Sequence, residues 1–149
     1  MWAHIMMVLY YTEMTNTLLR IMKKTQNKQV GKWGEEKAAL FLLEKGYNII
    51  AKNFSTRFAE IDIIAWHKKQ HFGKTLCFIE VKTRSKKDGS AERAVNKQKL
   101  SHMYKGAYAF CLKKQICIDA TPIQFEHVSI YKNKMKQEPD IVHYIIPTI

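Results

Sequence analysis

Acidic residues and a lysine interrupt two apolar segments that follow each other closely in the chain. The first segment contains Asp62, and the second contains Glu80 and, two residues later, Lys82. Carboxylates in such surroundings must be paired or must bind a cation, because an unpaired buried charge is too costly. Two carboxylates that hold Mg²⁺ or Mn²⁺, with a lysine that orients water or stabilises developing charge, meet the needs of phosphodiester hydrolysis.

These residues need two neighbouring strands to bring them together. Residues 60–66 and 76–82 are rich in Ile, Val, Phe and Trp and are separated by the polar residues 67–74, which is typical of a hairpin. Side chains alternate faces along a strand, so Glu80 and Lys82 share one face. Both faces of each segment are largely apolar, which predicts central strands covered on both sides. Without this placement the pattern of two acids and a lysine would be weak, because it is common by chance.

The rest of the chain supplies supporting elements for an α/β domain. We predict helices at residues 31–45 and 96–113 and further strands at 47–54, 124–131 and 141–146. Together with the hairpin they predict a central mixed sheet of four or five strands flanked by helices. Asn96 is a reasonable N-cap for the second helix. An apolar stripe on that helix is predicted to face the core; it consists of Leu100, Met103, Tyr104, Ala107, Tyr108 and Cys111.

The charge distribution favours a polyanionic partner. The 149 residues carry a formal net charge of +12. Residues 67–105 alone hold 11 Lys and Arg against 3 acids, and this excess lies beside the carboxylates. A phosphate backbone explains such a neighbourhood better than solvation does. The residues predicted to contact nucleic acid are Arg84, Lys86, Lys87, Lys97 and Lys99.

Cysteine and histidine usage does not indicate a zinc site. Cys77, Cys111 and Cys117 are odd in number, lack paired metal spacing and lie among apolar residues. We predict buried thiols in a reducing cytoplasm. The six histidines are scattered, which favours a site for a hard cation built from oxygen atoms.

Residues 1–28 are predicted to be an N-terminal extension of uncertain structure, and residues 29–149 a single nuclease-like domain. The apolar run at 5–11 is far shorter than the roughly 20 residues needed to span a bilayer, so no membrane association is expected. The extension is either a short helix on the domain or the product of an overlong reading frame whose start is Met14 or Met22.

Three motifs, in order, resemble the UPF0102 (YraN) family. They are Gly31-Lys32-Trp33-Gly34-Glu35, Ala59-Glu60-Ile61-Asp62-Ile63-Ile64 and Phe78-Ile79-Glu80-Val81-Lys82-Thr83-Arg84. The family is expected to contain endonucleases of the PD-(D/E)XK superfamily, with a restriction-endonuclease-like core similar to Holliday-junction resolvases. The resemblance implies that Asp62 and Glu80 bind the metal, that Lys82 is catalytic, and that Glu35 is the helix acid that assists metal binding and catalysis.

The sequence departs from the family pattern at a few positions, and it is compatible with other functions. Ala59 stands where the family has Gly, and Gln124 and Glu126 stand where it usually has Arg and Asp; the latter two are expected to affect only a peripheral polar contact. The expected activity is cleavage of DNA, including branched DNA in repair or recombination. One alternative is a nucleic-acid-binding module without turnover, and another is a set of structural cross-strand ion pairs. DNA against RNA, and monomer against homodimer, stay open.

Overall fold

Five strands form one mixed sheet in the computed structural model, which describes residues 2–133 and 135–147. The strands lie in the order β1 to β5, and the only parallel pair among these described strands is β3 with β4. The predicted hairpin is confirmed as β2 and β3, which are inner strands of the sheet. Its turn is shorter than predicted, because pairing continues to Lys69 and Gly73. The bounds are α1 Trp2–Glu44, β1 Asn48–Ser55, β2 Glu60–Lys69, β3 Gly73–Arg84, a 3₁₀ turn Glu92–Ala94, α2 Lys97–Lys114, β4 Ile123–Tyr131 and β5 Asp140–Ile145.

The second helix and the last part of the first, residues 34–44, cover opposite faces of the sheet. Phe110 of α2 contacts Phe78 of β3, with ring centroids 6.1 Å apart. Phe41 of α1 contacts His143 of β5 at 5.8 Å. Alternation along the paired strands puts Phe78 and His143 on different faces. The α/β fold with a mixed sheet flanked by helices is therefore as predicted, and it is consistent with a restriction-endonuclease-like core.

The first helix begins much earlier than predicted. It runs over Trp2–Glu44 without a break, so the predicted start near residue 31 is wrong. Residues 2–30 contain no proline or glycine to stop a helix. Hydroxyl groups also bond back to carbonyls within the turn, as Thr17 does to Glu13 at 2.9 Å. The absence of a helix breaker is only a weak signal for a helix, so the sequence leaves a short helix in residues 1–28 as one of two alternatives.

Gly34 is required where α1 packs on the sheet. A Cβ atom at this position would lie 1.8 Å from the hydroxyl oxygen of Thr83, which is much too close. A Cβ at Gly31, in the same helix, would meet nothing within 4 Å. We expect Gly34→Ala to lower the free energy of unfolding by about 1–3 kcal/mol through overpacking. Chemical denaturation of both variants checks this, because Gly31→Ala should leave stability unchanged or slightly raised, and equal losses would contradict the steric explanation.

The second helix lies where it was predicted, but its buried face differs from the predicted one. Its N-cap is Asn96, whose side-chain oxygen accepts a hydrogen bond from the Lys99 N–H at 2.9 Å, as predicted. Tyr104 and Tyr108 are 45% and 58% exposed, so their predicted place in the core is wrong. Phe110, which the predicted stripe omits, is buried. The helix turns its Met103 and Phe110 side to the sheet, and the tyrosines lie beside that face.

The chain divides into two compact units, residues 1–33 and residues 34–149. The sheet, α2 and all the candidate site residues belong to the second unit. Of the three thiols, Cys77 and Cys111 are buried, but Cys117 is exposed, so its predicted burial is wrong. No helix within the described part of the chain is both long enough and apolar enough to cross a membrane.

Candidate active site

Asp62 lies where the pairing between β2 and β3 ends. The ladder runs from Lys69 opposite Gly73 to Ile63 opposite Ile79 and stops there. One residue further, the Asp62 carboxylate accepts a hydrogen bond from the Val81 N–H at 2.7 Å. The side chain thus takes the place of a backbone acceptor on the neighbouring strand. This bond fixes the Asp62 carboxylate beside β3, next to Glu80.

The two carboxylates interact electrostatically. Burial, followed by the neighbouring Glu80 carboxylate, raises the pKa of Asp62 to about 7, although the Val81 N–H acts in the opposite direction. Glu35 of α1 is near enough to add a smaller raising effect. Two acids held this close repel each other when both are ionised, and a bound cation relieves such repulsion. Asp62 and Glu80 are therefore neighbours in space, and Glu35 lies within electrostatic range of Asp62.

Two lysines contact Glu80. The Glu80 side chain is buried, the Lys82 Nζ lies 3.3 Å from its Oε1, and the Lys99 Nζ lies 2.8 Å from its Oε2. The contact with Lys99 is an ion pair without hydrogen-bond alignment, since within the described residues Oε2 has no hydrogen-bond partner. The lysine side chains are 37% and 28% exposed. Both ammonium groups therefore border solvent, where a substrate phosphate would have to approach.

The carboxylates fit a hydrated divalent cation. Asp62 and Glu80 offer oxygen ligands, and Glu80 Oε2 is a buried acceptor free of hydrogen bonds among the described residues. No three His, Cys, Asp or Glu side chains in residues 2–133 and 135–147 form a group that could hold an ion. Mg²⁺ accepts such a site because it commonly binds through one or two carboxylates and keeps several waters. A role for Glu35 as a third ligand stays a prediction.

His127 is a neighbour of Glu80 that sequence reasoning missed. It is paired with Glu80 across β3 and β4 and is fully buried. Its Nε2 lies 3.1 Å from the Ser129 hydroxyl, and burial lowers the pKa of His127 to about 4. The ring is therefore neutral at pH 7 and does not compete with a cation for Glu80. A single histidine inside an apolar strand gave no signal that distinguished it from an ordinary core residue.

Glu126 forms a second polar cluster on the other face of the sheet. Its carboxylate is fully buried and accepts hydrogen bonds from Tyr47 at 2.9 Å and Lys69 at 2.6 Å. The His143 ring lies 2.8 Å away. These partners outweigh burial and lower the pKa of Glu126 to about 2. The expectation of a peripheral polar contact here was wrong, since this position lies at the centre of a buried network.

The predicted nucleic-acid contacts are arranged around the same end of β3. Arg84 follows Lys82 on the same face of the strand, and its guanidinium donates to the Thr83 carbonyl at 2.9 Å. Lys86 and Lys87 are exposed just after β3, and Lys97 is exposed in the first turn of α2. Lys99 is the one of these five that directly contacts a candidate metal ligand. Their contact with nucleic acid stays a prediction.

A family model and individual relatives all assign the chain to the same protein family. Residues 34–130 match the model of "Uncharacterised protein family UPF0102". A UPF0102 protein of Koribacter versatilis is 38% identical over 117 residues, covering 76% of each chain. A UPF0102 protein of Caldanaerobacter subterraneus is 34% identical over 126 residues, covering 84% of this chain and 98% of the relative. The family match includes β1, β2, β3, α2, all but the last residue of β4 and the residues that surround Glu80. The chain therefore belongs to the UPF0102 family.

Proposed function

We propose that this protein is an endonuclease that hydrolyses phosphodiester bonds in DNA with Mg²⁺ or Mn²⁺. The observation that carries the proposal is the placement of Asp62 against β3 beside Glu80, with Lys82 and Lys99 next to the same carboxylate. Two carboxylates and two lysine ammonium groups at the end of one strand suit a reaction in which negative charge grows on the oxygens bound to phosphorus. The formal net charge of +12 agrees with a polyanionic substrate.

Each side chain has a separate task in this reaction. Asp62, held by the Val81 N–H, and Glu80 hold the cation. When bound, Mg²⁺ supplies positive charge beside the phosphate and makes water a better nucleophile. Lys82, which is 37% exposed, leaves Oε1 of Glu80 to donate a hydrogen bond to the attacked phosphate or to orient the water.

A second candidate function is a nucleic-acid-binding module on the same fold without turnover. It is favoured by one observation, namely that both oxygens of Glu80 already have an ammonium group within 3.3 Å. In this alternative the lysines neutralise the acid permanently and no metal binds. The basic surface would then hold a phosphate backbone without cleaving it.

Metal-dependent cleavage separates the two functions. Purified protein is incubated with linear, flapped and four-way DNA, in Mg²⁺, in Mn²⁺ and in EDTA. We expect at least one DNA to be cleaved with either metal and none in EDTA. Binding of the same DNA without cleavage under every metal condition would instead support the binding module.

The salt dependence of DNA binding tests which lysines contact the phosphate backbone of the DNA. The logarithm of the binding constant should fall linearly with the logarithm of salt concentration, because each neutralised phosphate releases counterions. Lys86→Gln and Lys87→Gln should each reduce the slope by about one unit. Lys52→Gln, which removes an exposed charge outside residues 67–105, is the control and should leave the slope unchanged. Binding that does not respond to salt would contradict this surface.

A further inference from the structure

Two tyrosines of α2 present aromatic rings to solvent without an obvious structural reason. Tyr104 is 45% exposed and Tyr108 is 58% exposed. Two open grooves of about 600 Å³ each share Tyr104 and Lys105 in their walls. The Tyr104 ring also packs on the core, since its centroid lies 4.5 Å from that of Phe125. An aromatic ring that is fixed on one side and open on the other is suited to stacking.

The charge of α2 indicates what kind of molecule stacks there. The helix carries five lysines and no acidic residue. Lys97, Ser101, Lys105 and the two tyrosines recur at intervals of three or four residues, so they lie along one exposed side of the helix. A second copy of the chain would bring the same positive charge against this side. A polyanion with exposed flat rings matches it, and single-stranded nucleic acid is such a molecule.

The first turn of α2 lies at the candidate active site, with Lys99 on the side of the helix that faces the sheet and the tyrosines on the exposed side. Lys99, in the first turn, contacts Glu80 at 2.8 Å. With a rise of about 1.5 Å per residue, Tyr104 lies about 8 Å and Tyr108 about 14 Å further along the helix axis. A single strand that leaves the site and follows α2 to its exposed side can therefore reach both rings within a few nucleotides. In a duplex the base faces are covered by stacking, so the rings gain nothing from paired DNA beyond contacts between lysines and phosphates.

We propose that α2 is a stacking platform for unpaired bases, and that the preferred substrate has a single-stranded segment next to the scissile bond. The bases stack on Tyr104 and Tyr108, and Lys97 and Lys105 contact the phosphates between them. This inference rests on the proposed nuclease function, since it names the substrate class of the same site. Base stacking on aromatic side chains contributes about 1–3 kcal/mol per base.

Fluorescence anisotropy in EDTA tests the platform without cleavage. The probes are a flapped duplex, the same flap with abasic nucleotides, and a fully paired duplex of equal charge. For the intact flap we expect Tyr104→Ala and Tyr108→Ala each to weaken affinity about tenfold. Both variants should bind the paired duplex like the wild type. Tyr104→Phe and Tyr108→Phe keep the ring and should bind like the wild type, while Leu112→Ala, another exposed residue of α2, is the matched control.

The abasic flap identifies stacking as the cause. It should bind wild type about as weakly as the intact flap binds a double variant with Tyr104→Ala and Tyr108→Ala. The Ala variants should bind the abasic flap no more weakly than wild type does. Thermal unfolding checks that Tyr104→Ala is folded, and Tyr108→Ala, at the more exposed position, gives an independent reading.

Unchanged flap affinity in the Ala variants overturns the platform, and a changed oligomeric state in them would assign this surface to self-association. If wild type cleaves DNA but prefers paired duplex, the platform fails and the nuclease stands; if it binds none of the probes, both fail.

Discussion

Lys82→Ala should lower the rate of DNA cleavage by about 10²–10³-fold while divalent metal still binds. Asp62 and Glu80 keep their oxygens in this variant, so the proposed ligands of the cation are intact. What is lost is the ammonium group that the proposed mechanism uses to stabilise charge in the transition state. The Lys82 side chain is partly exposed and lies 3.3 Å from Glu80. Its removal should therefore change the free energy of unfolding by less than about 1 kcal/mol.

Lys99→Ala is the matched control, because Lys99 contacts the other oxygen of the same carboxylate at 2.8 Å. We expect it to weaken DNA binding and to leave the rate at saturating DNA near that of wild type. Single-turnover cleavage and calorimetric titration with Mn²⁺ measure the two effects separately. If Lys99→Ala were inactive and Lys82→Ala nearly normal, the catalytic assignment of the two lysines would have to be reversed.

Glu126→Gln should lower the free energy of unfolding by about 3–5 kcal/mol at pH 7, since it leaves a mostly buried lysine without its counterion. Lys69 is 2.6 Å from Glu126, and their side chains are 15% and 0% exposed. The amide nitrogen of Gln, itself a donor, would also face donors, because Tyr47 and Lys69 both donate to this carboxylate. Glu138→Gln is the control: its carboxylate pairs with Lys37 at 2.7 Å but is 73% exposed, so the loss should stay below about 1 kcal/mol.

The stabilising effect of Glu126 should depend on pH in a defined direction. The pKa of Glu126 is lowered from 4.5 to about 2, so the folded protein binds fewer protons than the unfolded chain between these values. Stability from this group is fully present above about pH 5 and is lost as the pH falls towards 2. The difference between wild type and Glu126→Gln should shrink over that range in denaturation experiments. A difference that stays constant with pH would mean that the charge of Glu126 is not its cause.

The central strands and their acids could be predicted from sequence because the signal is local. Asp62, Glu80 and Lys82 interrupt apolar runs, and strand periodicity then fixes which side chains share a face. The N-cap at Asn96 was recognisable for the same reason. The early start of α1 was not, because a long segment without breakers is compatible with both helix and irregular structure.

The contacts that complete the site depend on tertiary packing, which the sequence does not display. The bond from Val81 to Asp62 exists because the β2–β3 ladder stops at Ile63. Lys99 reaches Glu80 because α2 crosses the sheet closely at Gly106, where a Cβ would lie 2.7 Å from the Ile61 side chain. The burial of Glu126 follows in the same way from its partners on β2 and β5. None of these distances is encoded by periodicity.

Single-turnover cleavage by wild type and Asp62→Asn over a range of Mg²⁺ concentrations tests the central claim most directly. The substitution keeps an oxygen that can accept the Val81 N–H bond but removes the charge that would hold the cation. We predict that wild type is activated by Mg²⁺ and inactive in EDTA, and that Asp62→Asn binds the DNA but shows no cleavage at any Mg²⁺ concentration. Equal cleavage by the two proteins, or cleavage that persists in EDTA, would contradict a metal site at Asp62 and Glu80.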